Sequence, residues 1–237
     1  MSMSTIATDI VDFHAHILPT ADHGSASLDV SLLQLKKADA YGIKRIVATP
    51  HFYPMKEDLD SFLKRRRVAY DMLMGGLDSD APCIKIGAEV TICDGIDRLP
   101  RIDKLFINGT QTVLVELPPV EFQSEFAASV YRLTSSGINV VLAHPERYES
   151  YAVNAMIESG ALLQCNASAI VRGFKIRRAL PWIANKSVVA IGSDIHGMNF
   201  SAYKDFVKAT KKLDDYVHFI KEYSDSIWNI AEFGLNN

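Results

Sequence analysis

A chain of 237 residues, 48% hydrophobic and 22% charged, has the size and balance of one globular domain with a sizeable core, and a single α/β barrel commonly needs about this length. A formal net charge of -3 gives no overall positive field, which excludes a surface built to coat nucleic acid; any affinity for phosphate has to be local. In chain order, short β-rich apolar runs at 9–13, 45–48, 83–86, 112–115, 140–143, 161–165 and 188–191 predict strands. Between them lie helix-like stretches such as 28–41, 59–75, 121–136 and 203–223. Leu32, Leu33, Leu35 and Lys36, and again Phe126, Val130 and Leu133, show the three-to-four-residue period of a helix burying one face.

Strands alternating with helices imply βαβ units and a parallel sheet. No repeat, low-complexity tract or linker interrupts the pattern, so residues 1–237 read as a single domain. No G-x-G-x-x-G follows the first strand, which removes the main reason to choose an open dinucleotide-binding sheet. A barrel makes a stricter demand: its chemistry sits at the carboxyl ends of its strands, so ligand-type side chains should cluster there.

They do. The first strand runs into His14-Ala15-His16, and in an extended segment residues i and i+2 share a face. The next strand ends are followed by His51, Glu89, Glu116 and His144, and the last by Asp194 and His196; His23 lies in the loop after the first strand. Taken alone, each has a bland reading: His-x-His is a weak signal, Glu89 or Glu116 an ion-pair partner, Asp194 a helix cap. Jointly they end six of the seven predicted strands. Imidazole and carboxylate are the usual ligands of zinc, manganese and iron. Nine such residues are too many for one ion and suit three divalent transition metals, with one carboxylate bridging. The resulting local positive charge favours phosphate and acidifies a bridging water. His218, inside the C-terminal amphipathic stretch, has no such context and reads as structural.

Cys83, Cys93 and Cys165 are far apart, without C-x-x-C spacing, which argues for a reducing compartment. None sits in a C-x5-R phosphate loop, so thiol-dependent phosphatase chemistry is excluded. The opening MSMSTIATDI lacks signal-peptide character, and no apolar run approaches the roughly 18 to 20 residues that span a bilayer. A cytoplasmic protein, not inserted in the membrane, is expected.

The words DFHAHILPTADHG, IVATPHFYP, FLKRR, GAEVTICDGI, LVELP, VLAHPERY, GALLQCNAS and VVAIGSDIHG, in this order and over nearly the whole chain, resemble the PHP (polymerase and histidinol phosphatase) superfamily. More narrowly, the chain is similar to its metal-dependent protein-tyrosine phosphatases of bacterial capsule and exopolysaccharide systems, the CpsB/YwqE type. The resemblance implies a distorted seven-stranded β/α barrel and hydrolysis of phosphotyrosine by a hydroxide bridging two cations. It implies one metal held by His14, His16, Glu89 and Asp194, a second by Glu89, Glu116 and His144, and a third by His23, His51 and His196, with manganese, iron or zinc as the ions. Arg147, three residues after His144, matches an arginine that grips the substrate phosphate, so Arg147, His23 and His196 are the catalytic candidates. The implied partner is a phosphotyrosyl protein, the tail of a capsule tyrosine kinase; the oligomeric state stays open.

Two departures from the family pattern stand out. Its D-D-G loop reads Ala21-Asp22-His23-Gly24 here, which replaces a carboxylate by His23 and leaves Asp22 as an alternative ligand or supporting partner, expected on the other face of the loop. A second phosphate-binding arginine is replaced by Ser201, with Lys204, Arg172 or Lys175 as the candidates to stand in. Aromatic Phe52, Tyr53, Tyr148 and Phe200 are expected near the mouth, either to stack on a substrate ring or to pack the rim. The rival readings are a phosphatase for a small phosphomonoester such as histidinol phosphate, and a low-turnover phosphotyrosine-binding regulator.

Overall fold

All strands run parallel in one curled sheet of nine segments, in a computed structural model that describes residues 10–213 and 216–228, the side chains of 173–175 excepted. The segments are β1 Asp12–Ala15, β2 Arg45–Ala48, β3 His51–Phe52, β4 Cys83–Ile86, β5 Glu89–Thr91, β6 Thr112–Glu116, β7 Asn139–Ala143, β8 Leu162–Asn166 and β9 Val188–Gly192. They are hydrogen-bonded in the order β3-β5-β6-β7-β8-β9-β1-β2-β4. Each of the seven apolar runs read from the sequence carries a strand; Asp9, the first residue of the first run, lies outside the described residues.

The two extra segments arise where the second and third predicted runs are each continued beyond a break. Thr49-Pro50 separates β2 from β3, and proline has no amide to give to a ladder. Gly87-Ala88 separates β4 from β5. The pairing survives both breaks at one residue offset: Ala48 faces Ile86 before them and His51 faces Glu89 after them. The Gly87 amide donates to Ala48 O at 2.9 Å and the Glu89 amide to Pro50 O at 3.1 Å across the gap. A buried cation braces the bend. Arg66 donates to Gly87 O and to Lys104 O, both at 2.8 Å, and burial lowers its pKa to about 10.

Helices follow the strands: α1 Leu28–Ala40, α2 Leu59–Gly76, α3 Ser124–Ser135, α4 Ser150–Glu158, α5 Ala167–Val171, α6 Gly173–Ala184, α7 Ser201–Lys212 and α8 Val217–Trp228. The Ser27 side chain caps α1 by accepting from Val30 N, and Asp58 caps α2 by accepting from Ser61 N. The single stretch expected over 203–223 is two helices, α7 and α8. The stretch expected over 121–136 starts later, at Ser124.

The larger core lies between sheet and helices and includes Phe52, Phe62, Leu73, Val130, Leu142 and Phe206. A smaller cluster draws on alternate strand positions, Phe13, Val47, Leu114, Val141 and Val189, and is completed by Ile227 of α8. Trp228, beside it, lies under Arg45 and Lys85, whose charged groups are 5.8 and 5.6 Å from its ring centre. Arg45 also pairs with Asp225 of α8 at 2.7 Å. With the C-terminal helix tied to the strand starts, the strand ends are left for the chemistry.

Candidate metal centre

The cluster begins with β1. His14 and His16, two residues apart, turn their rings to one side, with Nε2 atoms 3.0 Å apart. Close backbone approach makes room for them. A Cβ added at Gly192 would stand 2.5 Å from His14 Cβ, and one at Gly24 2.2 Å from His16 Cβ, so both positions require glycine. At two other strand ends the chain turns sharply: His144 after β7 and Asp194 after β9 have φ of 36° and 50°. A non-glycine residue there costs about 1–3 kcal/mol, strain that clusters at functional sites.

Around Glu89 the sites converge. Its Oε2 lies 3.1 Å from His14 Nε2, 3.2 Å from His16 Nε2 and 3.1 Å from His51 Nδ1. Yet Oε2 has no hydrogen-bond partner, nor has His51 Nδ1. Its Oε1 lies 2.7 Å from His144 Nε2. Asp194 Oδ1 lies 3.7 Å from His14 Nε2 and 3.5 Å from His16 Nε2, while Glu116 is 3.4 Å from His51 and 3.8 Å from His144. Three overlapping sets have ligand atoms within 4.8 Å of one another: His14, His16 and Glu89; His51, Glu89 and Glu116; His16, His51 and His196.

Four of the imidazoles are tethered through Nδ1 to an oxygen. His14 reaches Gln164 Oε1 at 2.8 Å, His16 reaches Asp22 Oδ2 at 2.7 Å, His144 reaches Tyr148 Oη at 2.9 Å and His196 reaches Asp194 O at 3.1 Å. A proton on each Nδ1 leaves an Nε2 lone pair for the cluster, the usual arrangement of metal-binding histidines. His196 Nε2 is buried and without a partner. The donor set therefore fits divalent cations of the zinc, iron and manganese class.

The electrostatics agree. Burial alone lowers the pKa of an imidazole, but Asp22 and Glu89 outweigh it at His16 and raise it to about 10. Glu89 and Asp194 likewise raise His14. Burial opposes ionisation of Glu89 and Asp194 too, but the surrounding imidazoles, with Arg147 beside Asp194, hold both well below the ordinary carboxylate range. Such a pocket demands positive charge. At its edge His196 is lowered to about 4 by burial and by the charge of His16, and His144 is lowered by burial.

Eight of the nine candidate ligands are thus joined by short contacts between ligand atoms. The ninth, His23, is exposed and meets the group through its ring, 4.8 Å from that of His51 and 4.7 Å from that of His196. The sets differ in detail from the sequence grouping: His51 falls with Glu89 and Glu116, and His16 with His51 and His196. Arg147 is ion-paired with Asp194, whose Oδ2 also accepts from Asn166 at 2.7 Å. Asp22, expected on the far face of its loop, points inward to His16 and also accepts the His51 amide at 3.0 Å. Ser201 starts α7 and donates to Asn199 Oδ1 at 2.7 Å. Of its stand-ins, Arg172 pairs with Asp205 at 3.3 Å, Lys204 is exposed on α7, and the Lys175 side chain lies outside the described residues. His218 is exposed on α8.

Sequence reasoning missed Gln164, Asn166 and Thr91, which donates to Glu116 at 2.6 Å. Gln164 and Asn166 alternate on β8, the one predicted strand that ends in no metal ligand, and that alternation was the available signal. Among the rim aromatics, Phe52 is core, packed on Phe62 with ring centres 4.9 Å apart. Tyr53 and Tyr148 line a groove of about 780 Å³ that opens beside Glu116, His144 and Arg147.

Residues 10–223 match the family model described as capsular polysaccharide synthesis, CpsB/CapC. The CapC protein of Staphylococcus aureus is 28% identical over 200 residues, which cover 80% of this chain and 78% of that one. The tyrosine-protein phosphatase CpsB of Streptococcus pneumoniae is 23% identical over 210 residues, 80% of this chain and 84% of its own. In fold the chain is similar to a solved chain from work on YwqE of Bacillus subtilis and CpsB of Streptococcus pneumoniae, metal-dependent tyrosine phosphatases. The TM-score is 0.78 at 20% identity, covering 93% of this chain and 95% of that one.

Proposed function

The chain belongs to the CpsB/CapC family of capsular polysaccharide synthesis proteins, and from that premise we propose that it is a metal-dependent protein-tyrosine phosphatase. The observation that carries the reading is the Glu89 carboxylate, one oxygen of which faces three imidazole nitrogens at 3.1–3.2 Å without hydrogen-bond geometry. That is a place for shared cations rather than for protons. We assign three divalent transition metals, of manganese, iron or zinc, to His14, His16, Glu89 and Asp194; to Glu89, Glu116 and His144; and to His23, His51 and His196. When bound, such ions supply Lewis-acid charge to the phosphoryl oxygens and acidify water toward the attacking hydroxide.

The chain's own groups do the positioning. Glu89, reached from four sides, holds the halves of the cluster at fixed spacing. Gln164, Asp22 and Tyr148 orient the His14, His16 and His144 rings. Arg147 spends one face of its guanidinium on Asp194 and offers the other donors to the phosphoryl oxygens in a planar fork. Hydrolysis transfers the phosphoryl group to water and breaks the bond to the tyrosyl oxygen. The leaving phenolate has a conjugate acid of pKa about 10, so it departs without a dedicated acid, and His23 and His196 border the side we assign to it.

We assign it as substrate a phosphotyrosyl protein, the tail of a tyrosine kinase of capsule or exopolysaccharide synthesis, met in the cytoplasm; the capsule-synthesis family and its tyrosine-phosphatase relatives support the reading. Among the described residues no helix is long and apolar enough to cross a membrane. We read the nine sheet segments as seven strands, two of them interrupted, in one PHP-type domain over residues 1–237. Assay of metal-reconstituted protein on a phosphotyrosyl peptide tests the reading. Hydrolysis that EDTA abolishes and added metal restores supports it, whereas metal-free protein that hydrolyses at full rate would sink it.

A further inference from the structure

The groove beside the metal centre is much larger than a phosphate needs. At about 780 Å³ it has the size that encloses a drug-like ligand, about 300–1,000 Å³. Glu116, His144 and Arg147 form part of its wall, so it is continuous with the centre; Tyr53, stacked on His51, Tyr148, bonded to His144, and Phe122 line it too. At the rim stand Met55, Val120 and Tyr151, exposed to 84%, 59% and 58%. Solvated apolar side chains are ordinary one at a time; three on the rim of a single groove that ends at the reactive centre are a surface in wait of apolar contact.

The walls are mostly apolar, with Lys56, Glu121 and Glu149 as charged groups beyond Glu116 and Arg147, and they are stiff. Pro54, Pro118 and Pro119 carry no amide donors and fix their own backbone angles, so they add shape without hydrogen bonds that would favour a polar guest. Tyr148 is held by the Leu117 amide at 3.1 Å and by His144 at 2.9 Å. Phe122 stands edge-on to Tyr151, with ring centres 6.0 Å apart. Lys56 lies 4.5 Å above the Tyr53 ring and gives the groove a cation besides Arg147. A small, hydrophilic phosphate ester would leave nearly all of this untouched.

We propose that the groove seats the substrate peptide itself, the residues flanking the phosphotyrosine in an extended segment, and that Met55, Val120 and Tyr151 select flanks with apolar side chains. The inference rests on the phosphatase reading and names its specificity surface. Ordering a flexible segment costs free energy that the reactive phosphate cannot offset beyond its own contacts, so apolar burial along the groove is what distinguishes one phosphotyrosyl chain from another.

The test uses the metal-reconstituted full chain and two phosphotyrosyl peptides, one flanked by leucine and valine and one by glycine and serine, with p-nitrophenyl phosphate as the small substrate. Val120→Asp and Tyr151→Ala are compared with Met72→Asp, which alters an exposed apolar residue on α2. The expected result is a preference of about tenfold or more in kcat/KM for the apolar peptide, carried by KM. It should collapse in Val120→Asp and Tyr151→Ala and persist in Met72→Asp. Equal rates on both peptides, or a preference that the groove variants leave intact, overturns the groove. Fluorescence anisotropy of labelled peptides separates the two layers. If no substrate is turned over but the apolar peptide binds and Val120→Asp releases it, the phosphatase reading fails and the groove stands; if neither peptide binds, the groove fails too.

Discussion

Asp22 holds His16: its Oδ2 lies 2.7 Å from the His16 Nδ1 atom, and its Oδ1 takes the Gly24 amide at 2.8 Å. The carboxylate is fixed from both ends, so the imidazole cannot rotate and its Nε2 stays aimed at Glu89. Partners of this kind typically change metal affinity by about 10–100-fold. Asp22→Asn removes the charge and sets an NH₂ group against one of the backbone amides that the carboxylate now accepts, and should weaken metal binding by that factor. A competitive chelator titration measures it; unchanged affinity would mean that Asp22 merely shapes the loop.

Glu89 makes a sharper prediction, because it is shared. Replacing it with glutamine removes negative charge from among four imidazoles and puts an NH₂ group where one oxygen now faces lone pairs. Glu89→Gln should lose at least one metal per chain by elemental analysis and at least about 100-fold in kcat, while circular dichroism stays that of the native fold. A variant that keeps its metals and its rate would remove Glu89 from the centre.

The candidate ligands were legible in the sequence because a barrel concentrates chemistry at strand ends, and strand ends can be found from apolar runs such as those preceding Glu116 and His144. The strand breaks were not. Thr49-Pro50 and Gly87-Ala88 look like ends of strands, and only the pairing of His51 with Glu89 reveals that the ladder resumes. Nor could spacing give the direction of Asp22, since the Gly24 turn and the His51 amide decide it. The stretch over 203–223 keeps a helical period throughout, so periodicity could not mark the boundary between α7 and α8. Gln164 and Asn166 passed as ordinary strand residues because amides carry no metal-ligand signature.

Metal removal should register in stability as well as rate. Ions that bind the folded chain alone add about 2.7 kcal/mol for each site held at a hundredfold excess over Kd, and each kcal/mol moves Tm by about 2–4 °C in a chain of this length. EDTA should therefore lower Tm by roughly 5 °C or more and abolish phosphatase activity. Vanadate at levels that stop thiol-dependent enzymes should leave most of the activity, because the proposed hydrolysis uses no cysteine nucleophile. Differential scanning calorimetry with and without chelator decides the first point. An unchanged Tm would speak against tight cations.

Away from the centre, Asp97 receives a two-pronged bond from Arg132 of α3, at 2.7 and 2.9 Å, which holds its carboxyl below the ordinary range. A depressed folded-state pKa contributes stability that is present above the unfolded value of about 3.9 and is lost as pH falls through the folded value. Asp97→Asn should melt below the wild type at pH 7, and the gap should close below about pH 4. Melts across that window test the sign; a gap that widened in acid would refute it.

Arg66 tests the architecture that brings His51 beside Glu89. Its guanidinium satisfies Gly87 O at the strand break and Lys104 O beyond it, each at 2.8 Å, and its charge lies 5.3 Å from the Phe62 ring centre. Arg66→Ala leaves two carbonyls without their donor, at about 1–3 kcal/mol each, so a loss of about 3 kcal/mol is expected, with a fall in Tm of roughly 6–12 °C. Arg66→Lys should recover less than half, because one ammonium cannot reproduce a planar fork that serves two carbonyls at once. Activity should fall with it, since slack at Gly87 moves Glu89, two residues on. If Arg66→Ala melted like the wild type, the bend would be held by the Pro50 and Gly87 backbone alone, and the cluster would owe its spacing to the ladder on either side.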